Sequence, residues 1–366
     1  MTPTEAYIAL NLLPKIGPVR VRNLLSVFGS APAILAARAS DIAPLGGFGA
    51  ETARMIANWK EHIDLDAELR KIDDLGLHVL TMESEDYPPQ LKEIYDPPIV
   101  LYVMGRLESR DRQAIGIVGS RRATHYGTQT ARKLAFQLAH AGLTVVSGLA
   151  RGIDTAAHEG ALAAHGRTIA VIGSGIRKLY PPENMALAER MAENGAVVSE
   201  FPVDYPPDRQ SFPLRNRIIS GMGFGLLVVE APGRSGALIS ANQAVEQGRS
   251  VYAVPGPIDR PTSHGANRLI QQGAKLVMDA RDILEDLEVL FPAVQNAPPL
   301  EQTRPEVSLT PEEEAVYNAI DTSEASIDDI IQRSGLPASD VSPTLSRLEM
   351  KRLVKQLPGN HFVKLV

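Results

Sequence analysis

The sequence contains no cysteine. Disulfides, thiolate metal sites and cysteine nucleophiles are therefore excluded, as fits a chain working in a reducing cytoplasm. No stretch approaches the roughly 20 apolar residues that cross a bilayer. Runs such as GFGLLVVEAPG are broken by Gly, Pro and charge, so no membrane insertion is expected. The N-terminus, MTPTEAYIALNLLPKIG, lacks the basic-then-apolar order of a signal peptide. A net positive charge is missing too: the formal value is −6. That argues mildly against a nucleic-acid binder, although only a local groove has to be basic. Several signatures are absent. Without G-x-x-x-x-G-K-[ST] a Walker nucleotidase is disfavoured, and GIVGSR has no third glycine in register for a dinucleotide fingerprint. There is no G-x-S-x-G elbow and no H-E-x-x-H. No catalytic residue, metal or cofactor is expected.

What is present points to two or three domains in 366 residues. Residues 1 to about 75 read as short helices broken by glycine turns, the plan of a SAM-like, paired helix-hairpin-helix domain. Its turn amides either hold a phosphate or simply cap a small bundle. Residues 76–112 hold two strand-like runs around a Pro-rich turn and read as a connecting lead-in. From 113 to 290, apolar runs (AIGIVG, LTVVSG, TIAVIG, AVVSE, GLLVVE, SVYAVPG, AKLVM) alternate with helical segments. That is the pattern of an α/β, extended Rossmann-like domain whose parallel sheet is covered on both faces. Residues 291–309 read as a Pro-rich linker. Residues 310–366 give three helices and a hairpin, the order of a winged helix. Residues 308–366 carry nine acidic and six basic side chains, fewer cations than a DNA-reading helix domain usually shows.

Four strand-end loops are rich in Gly and Ser: Gly119-Ser120-Arg121-Arg122, Ser147 to Gly152, Gly173-Ser174-Gly175, and Pro232-Gly233-Arg234-Ser235-Gly236. Glycines let the backbone approach a ligand closely, and loop amides attract anions. Arg121, Arg122, Arg151, Arg234, Arg215 and Arg217 add guanidinium forks suited to phosphate oxygens. Phe212 is placed to stack on a base. Any single arginine has an alternative as a structural ion pair. Arg215 and Arg217 diverge on a helix, so one of them is a candidate partner for Glu200 or Glu230. Asp154 and His158 are four apart, as an acid–base pair or, more plainly, a helix cap beside a packed histidine. His264 is a candidate for the pocket rim.

These motifs in order, GIVGSRRAT, VVSGLARGIDTAAHEGAL, IAVIGSG, YPPEN, SEFP, FPLRNRIISG, SGALISANQAVEQGR and VYAVPG, resemble the DNA-processing protein A family, also called Smf. The dense part of the match runs from about 80 to 285. The resemblance implies a cytoplasmic bacterial protein that binds and protects single-stranded DNA during natural transformation. It also implies assistance in loading the RecA recombinase and a homodimer formed through the sheet domain. It assigns the strand-binding pocket to Arg121, Phe212, Arg215 and Arg217. Asn242 stands where some members carry a basic residue. The family fold is similar to that of phosphoribohydrolases with P-G-G-x-G-T-x-x-E, but here Ser240 replaces the final Glu. Binding without turnover is the expectation. A nucleotide hydrolase using Asp154 or Glu230, and an adaptor that binds no DNA, are the alternatives.

Overall fold

In the computed structural model the described residues are 1–290, 309–320, 325–351, 353–357 and 359–364. They fall into two compact units, Met1–Ala297 and Pro298–Val366. The expected linker, apart from Leu309, lies outside the described residues.

The first unit opens with helices α1 (Pro3–Leu12), α2 (Pro18–Phe28), α3 (Ala31–Ala36), α4 (Ala39–Ile42), α5 (Ala50–Ala57) and α6 (Leu65–Asp74). Thr2 and Glu5 form a capping box at α1, and Gly29, in the left-handed region, ends α2. The helices do not stand apart. Their apolar faces share one core with Tyr102, Ala170 and Val197 of the sheet. Polar ties reinforce the junction: Tyr7 donates to Glu83 at 2.8 Å, Asn11 to the Glu200 carbonyl at 2.9 Å, and the Val203 amide to the buried Glu68 carboxylate at 2.7 Å.

The central sheet has nine strands: β1 (His78–Thr81), β2 (Val100–Gly105), β3 (Ala114–Val118), β4 (Thr144–Ser147), β5 (Thr168–Val171), β6 (Ala196–Ser199), β7 (Gly225–Val228), β8 (Ser250–Ala253) and β9 (Lys275–Leu276). Their order is β1-β2-β6-β5-β4-β3-β7-β8-β9. The seven apolar runs of residues 113–290 are the strands β3 to β9, and each neighbouring pair among them is parallel. Every residue of β4, β5 and β6 is buried, as two covered faces require. Residues 76–112 supply β1 and β2, which extend the sheet antiparallel from β6. The helices are α7 (Pro89–Lys92), α8 (His125–His140), α9 (Ile153–Ala163), α10 (Met185–Glu193), α11 (Ser211–Met222), α12 (Gly236–Glu246), α13 (His264–Gln271) and α14 (Arg281–Leu290).

The second unit contains α15 (Pro311–Ala319), α16 (Ile327–Ser334) and α17 (Ala338–Met350), with strands β10 (Ala325–Ser326), β11 (Val354–Leu357) and β12 (His361–Lys364). The strand order β10-β12-β11 and the β11–β12 hairpin make it a winged helix. Arg347 of α17 and Lys351, the residue just after that helix, are held by acids of α15. Lys351 lies 2.7 Å from Glu313, and Arg347 lies 3.7 Å from Glu312 and 3.8 Å from Glu313.

Candidate nucleic-acid interface

After β3 the chain winds through β4 and β5 to β6, then returns to place β7 on the other side of β3. The connections leave β3 and β7 in opposite directions, so a crevice opens at their carboxyl ends. Two ties fix its mouth. The Ser120 amide donates to the Glu230 carbonyl at 2.7 Å. The Glu230 carboxylate accepts from the Thr124 amide at 3.1 Å and the Thr124 hydroxyl at 2.5 Å. Thr124 in turn caps α8 by accepting from the Gly127 amide at 3.0 Å. Glu230 thus serves the positive end of a helix.

The crevice is a cavity of about 410 Å³ lined by Ser120, Arg121, Arg122, Arg215, Arg234 and Ser235, among others. Ser235 caps α12 by accepting from the Ala237 amide, and with Gly236 and Ala237 it brings the positive end of that helix to the same space as the arginines. A second cavity of about 560 Å³ adjoins it, lined by Tyr180, Arg209, Phe212 and Ile239. Arg121, Asn216 and Gly236 line both, so the two make one groove. In this groove the Arg121 guanidinium lies 5.0 Å from the Phe212 ring centroid. Arg151 lies 5.9 Å from that of Tyr180, and the two rings are 6.0 Å apart at 50°. Arg151 also pairs with Glu183.

Arg215 and Arg217 are two residues apart on α11 and therefore point about 200° apart. Arg215 is 3% exposed and forms part of the crevice wall. It donates to the Val171 carbonyl, and its Nε is buried without a partner. Burial lowers its pKa to about 10, against the pull of Asp154. Arg217 turns away from the groove. It donates to both Glu200 carboxylate oxygens at 2.7 Å and lies 2.9 Å from the Asp96 carboxylate. The expectation that Arg217 lines the strand pocket is therefore corrected: it is 5% exposed and spent on two acids. Glu200, not Glu230, is the acid it pairs with.

Asp154 does not cap its own helix, where Gly152 is the N-cap residue. Its carboxylate accepts from the Gly148 amide at 3.1 Å and the Ala150 amide at 3.4 Å, folding the loop after β4 back on itself. A Cβ at Gly148 would run into both the Asp154 carboxylate and the Arg215 guanidinium, so the loop needs glycine there. Burial raises the Asp154 pKa, with Arg215 opposing. His158 is fully buried, and its Nδ1 lies 2.6 Å from the Thr168 hydroxyl. Burial lowers its pKa to about 3, so the ring is neutral. The two are no acid–base pair: each is bonded to a different partner.

Three further residues stand outside the groove walls. His264 is exposed at the start of α13, with Nε2 3.1 Å from the Ile258 carbonyl, and lines neither cavity. Asn242 lines a separate cavity of about 520 Å³ with Val245, Arg249 and Leu269. Gly233 is exposed but outside the cavity walls. Tyr180, Arg209 and Asn216 were not singled out from the sequence. The available signal was an aromatic beside the Pro-Pro turn of LYPPEN and an arginine in YPPDRQSF. Among the described residues no group of three His, Asp or Glu side chains is placed to hold a metal. The arrangement is suited to gripping a polyanion whose planar groups lie against aromatic rings.

Three family models match the chain: DNA recombination-mediator protein A over residues 78–288, the DprA winged helix domain over 299–360, and the SAM-like helix-hairpin-helix tandem over 8–58. Protein Smf of Synechocystis is 34% identical, covering 98% of each chain. The X-ray structure of DNA processing protein A from Streptococcus pneumoniae superposes with a TM-score of 0.70 at 36% identity, covering 78% of this chain and 98% of that one. The DNA processing protein A structure from Helicobacter pylori, described as showing a unique single-stranded DNA binding mode, has a TM-score of 0.51 at 29% identity over 57% of this chain and 95% of its own.

Proposed function

The chain belongs to the DNA recombination-mediator protein A family, and from that premise we propose that it binds single-stranded DNA in the groove along the carboxyl edge of its sheet. One observation carries this reading: Arg121 lines both lobes and stands over Phe212. Phosphates enter the arginine-lined crevice, and bases lie against Phe212 and Tyr180. Such contacts tolerate sequence and weaken with salt. The strand bound there is shielded during transformation and handed to the RecA recombinase in the cytoplasm.

The groove binds without turnover. Asp154 and Glu230, the candidate acids of a hydrolase, are engaged by the protein's own amides and by Thr124. Ser240 occupies the place of a catalytic glutamate. A homodimer through the sheet domain is supported by the edge strand β9, where Leu276 and nearby Met278 are exposed, and by the cavity around Asn242 and Val245.

The direct test is fluorescence anisotropy with single and double strands across a salt series. Tight, salt-sensitive binding that favours single strands supports the reading; equal binding of both forms, or none, overturns it.

A further inference from the structure

The loop after β5 carries Arg177 and Lys178 between two buried anchors, Ile176 and Leu179. With their apolar neighbours turned into the core, both cations face outward. This loop runs beside the one after β6: the Gly175 amide donates to the Tyr205 carbonyl at 2.8 Å and the Arg177 amide to the Val203 carbonyl at 3.1 Å. The second loop brings Asp204, which lies 3.5 Å from Arg177 and 3.0 Å from Lys71 of α6. Lys71 is also 3.3 Å from Glu68. Although partial burial opposes it, Asp204 is held below the ordinary carboxylate range by Lys71, Arg177 and Lys178 together. Three cations therefore face two carboxylates, and one of these, Glu68, is buried under the Val203 amide.

Position gives the cluster its meaning. Arg177 and Lys178 lead within three residues to Tyr180, at most about 11 Å of chain. Asp204 and Tyr205 lead to Pro207 and Arg209. Tyr180, Pro207 and Arg209 all line the aromatic lobe of the groove. The two loops form a continuous ledge from that lobe to the helical region. Tyr205 on this ledge stacks on Phe201, with ring centroids 4.6 Å apart.

We propose that Arg177, Lys178 and Lys71 form a second phosphate-contact site, which takes the backbone of a single strand leaving the aromatic lobe and guides it over the sheet edge toward α6. The inference rests on the single-stranded DNA reading of the groove and extends it. The groove alone holds a short strand; the ledge adds contacts that only a longer strand reaches.

The test compares thymidine oligomers of about six and about twenty nucleotides, one near the short end of usual site sizes and one beyond their long end. The wild type is set against the double variant Arg177→Ala, Lys178→Ala, with folding checked by thermal melting. The short oligomer should bind both proteins alike. For the long one, losing two phosphate contacts lowers the salt slope by about 1.4, so wild-type affinity falls about sevenfold more than the variant's between 50 and 200 mM salt. Unchanged long-strand binding and slope, or equal loss at both lengths, overturns the proposal. Arg121→Ala run in parallel separates the two readings: if it leaves both lengths untouched the groove assignment fails, whatever the ledge does.

Discussion

The guanidinium of Arg121 rests over the ring of Phe212, 5.0 Å from its centroid. In this arrangement the cation covers one face of the ring. The strand binding proposed above exchanges that one contact for two, with the ring taking a base and the arginine taking a phosphate.

The two halves of that exchange separate experimentally. Phe212→Ala loses about 1–3 kcal/mol of strand affinity and keeps the salt slope, because stacking releases no counterions. Arg121→Ala loses affinity and lowers the slope by about 0.7, one phosphate contact. Anisotropy titrations at several salt concentrations read both quantities.

Arg217→Ala is expected to act on stability instead. It leaves Glu200 and Asp96 without their shared cation in a mostly buried place. Removing one member of a buried pair costs about 3–5 kcal/mol. Urea unfolding should show that loss, while strand affinity per folded molecule stays at the wild-type value.

Glu183 holds Arg151 as a phosphate would. Glu183→Gln frees the arginine for the strand and should raise single-strand affinity a few-fold. Arg151→Ala in the same background should abolish the gain. An affinity gain that survives loss of Arg151 contradicts the pairing as its cause.

His158 predicts a pH dependence. Its folded pKa, about 3, lies below the unfolded value of about 6.5. Between these values the unfolded chain binds a proton that the folded chain refuses, so stability falls as pH falls. His158→Gln removes the titration. The stability of the wild type relative to this variant should drop by about 1.4 kcal/mol per pH unit below about 6.5. The opposing effect of Asp154 is present in both proteins and cancels. Parallel unfolding curves between pH 7 and pH 4 measure the difference.

The strands β3 to β7 were legible because buried parallel strands are continuous apolar runs, and AIGIVG or TIAVIG can hardly be anything else. The addition of β2 to β6 was not, because LYVMG names no partner and edge pairing is decided by the tertiary fold. In FPLRNR the sequence shows two arginines and a helical spacing. It does not show which face meets the crevice and which meets Glu200, since that depends on how α11 lies on the sheet. Read locally, Asp154 is a helix cap. Its real partners, Gly148 and Ala150, precede its helix in a loop whose path the sequence does not disclose. Tyr180 was missed because it reaches Phe212 from another loop.

The bonds joining Ser120 and Thr124 to Glu230 span more than a hundred residues. Until the ribosome has delivered the chain past Glu230, the first anion loop lacks this brace and holds the bond from the Ile153 amide to the Ser120 carbonyl, and the part of the crevice wall from Pro232 to Ser240 does not exist. Growing or prematurely released chains that stop short of this point have no finished cleft.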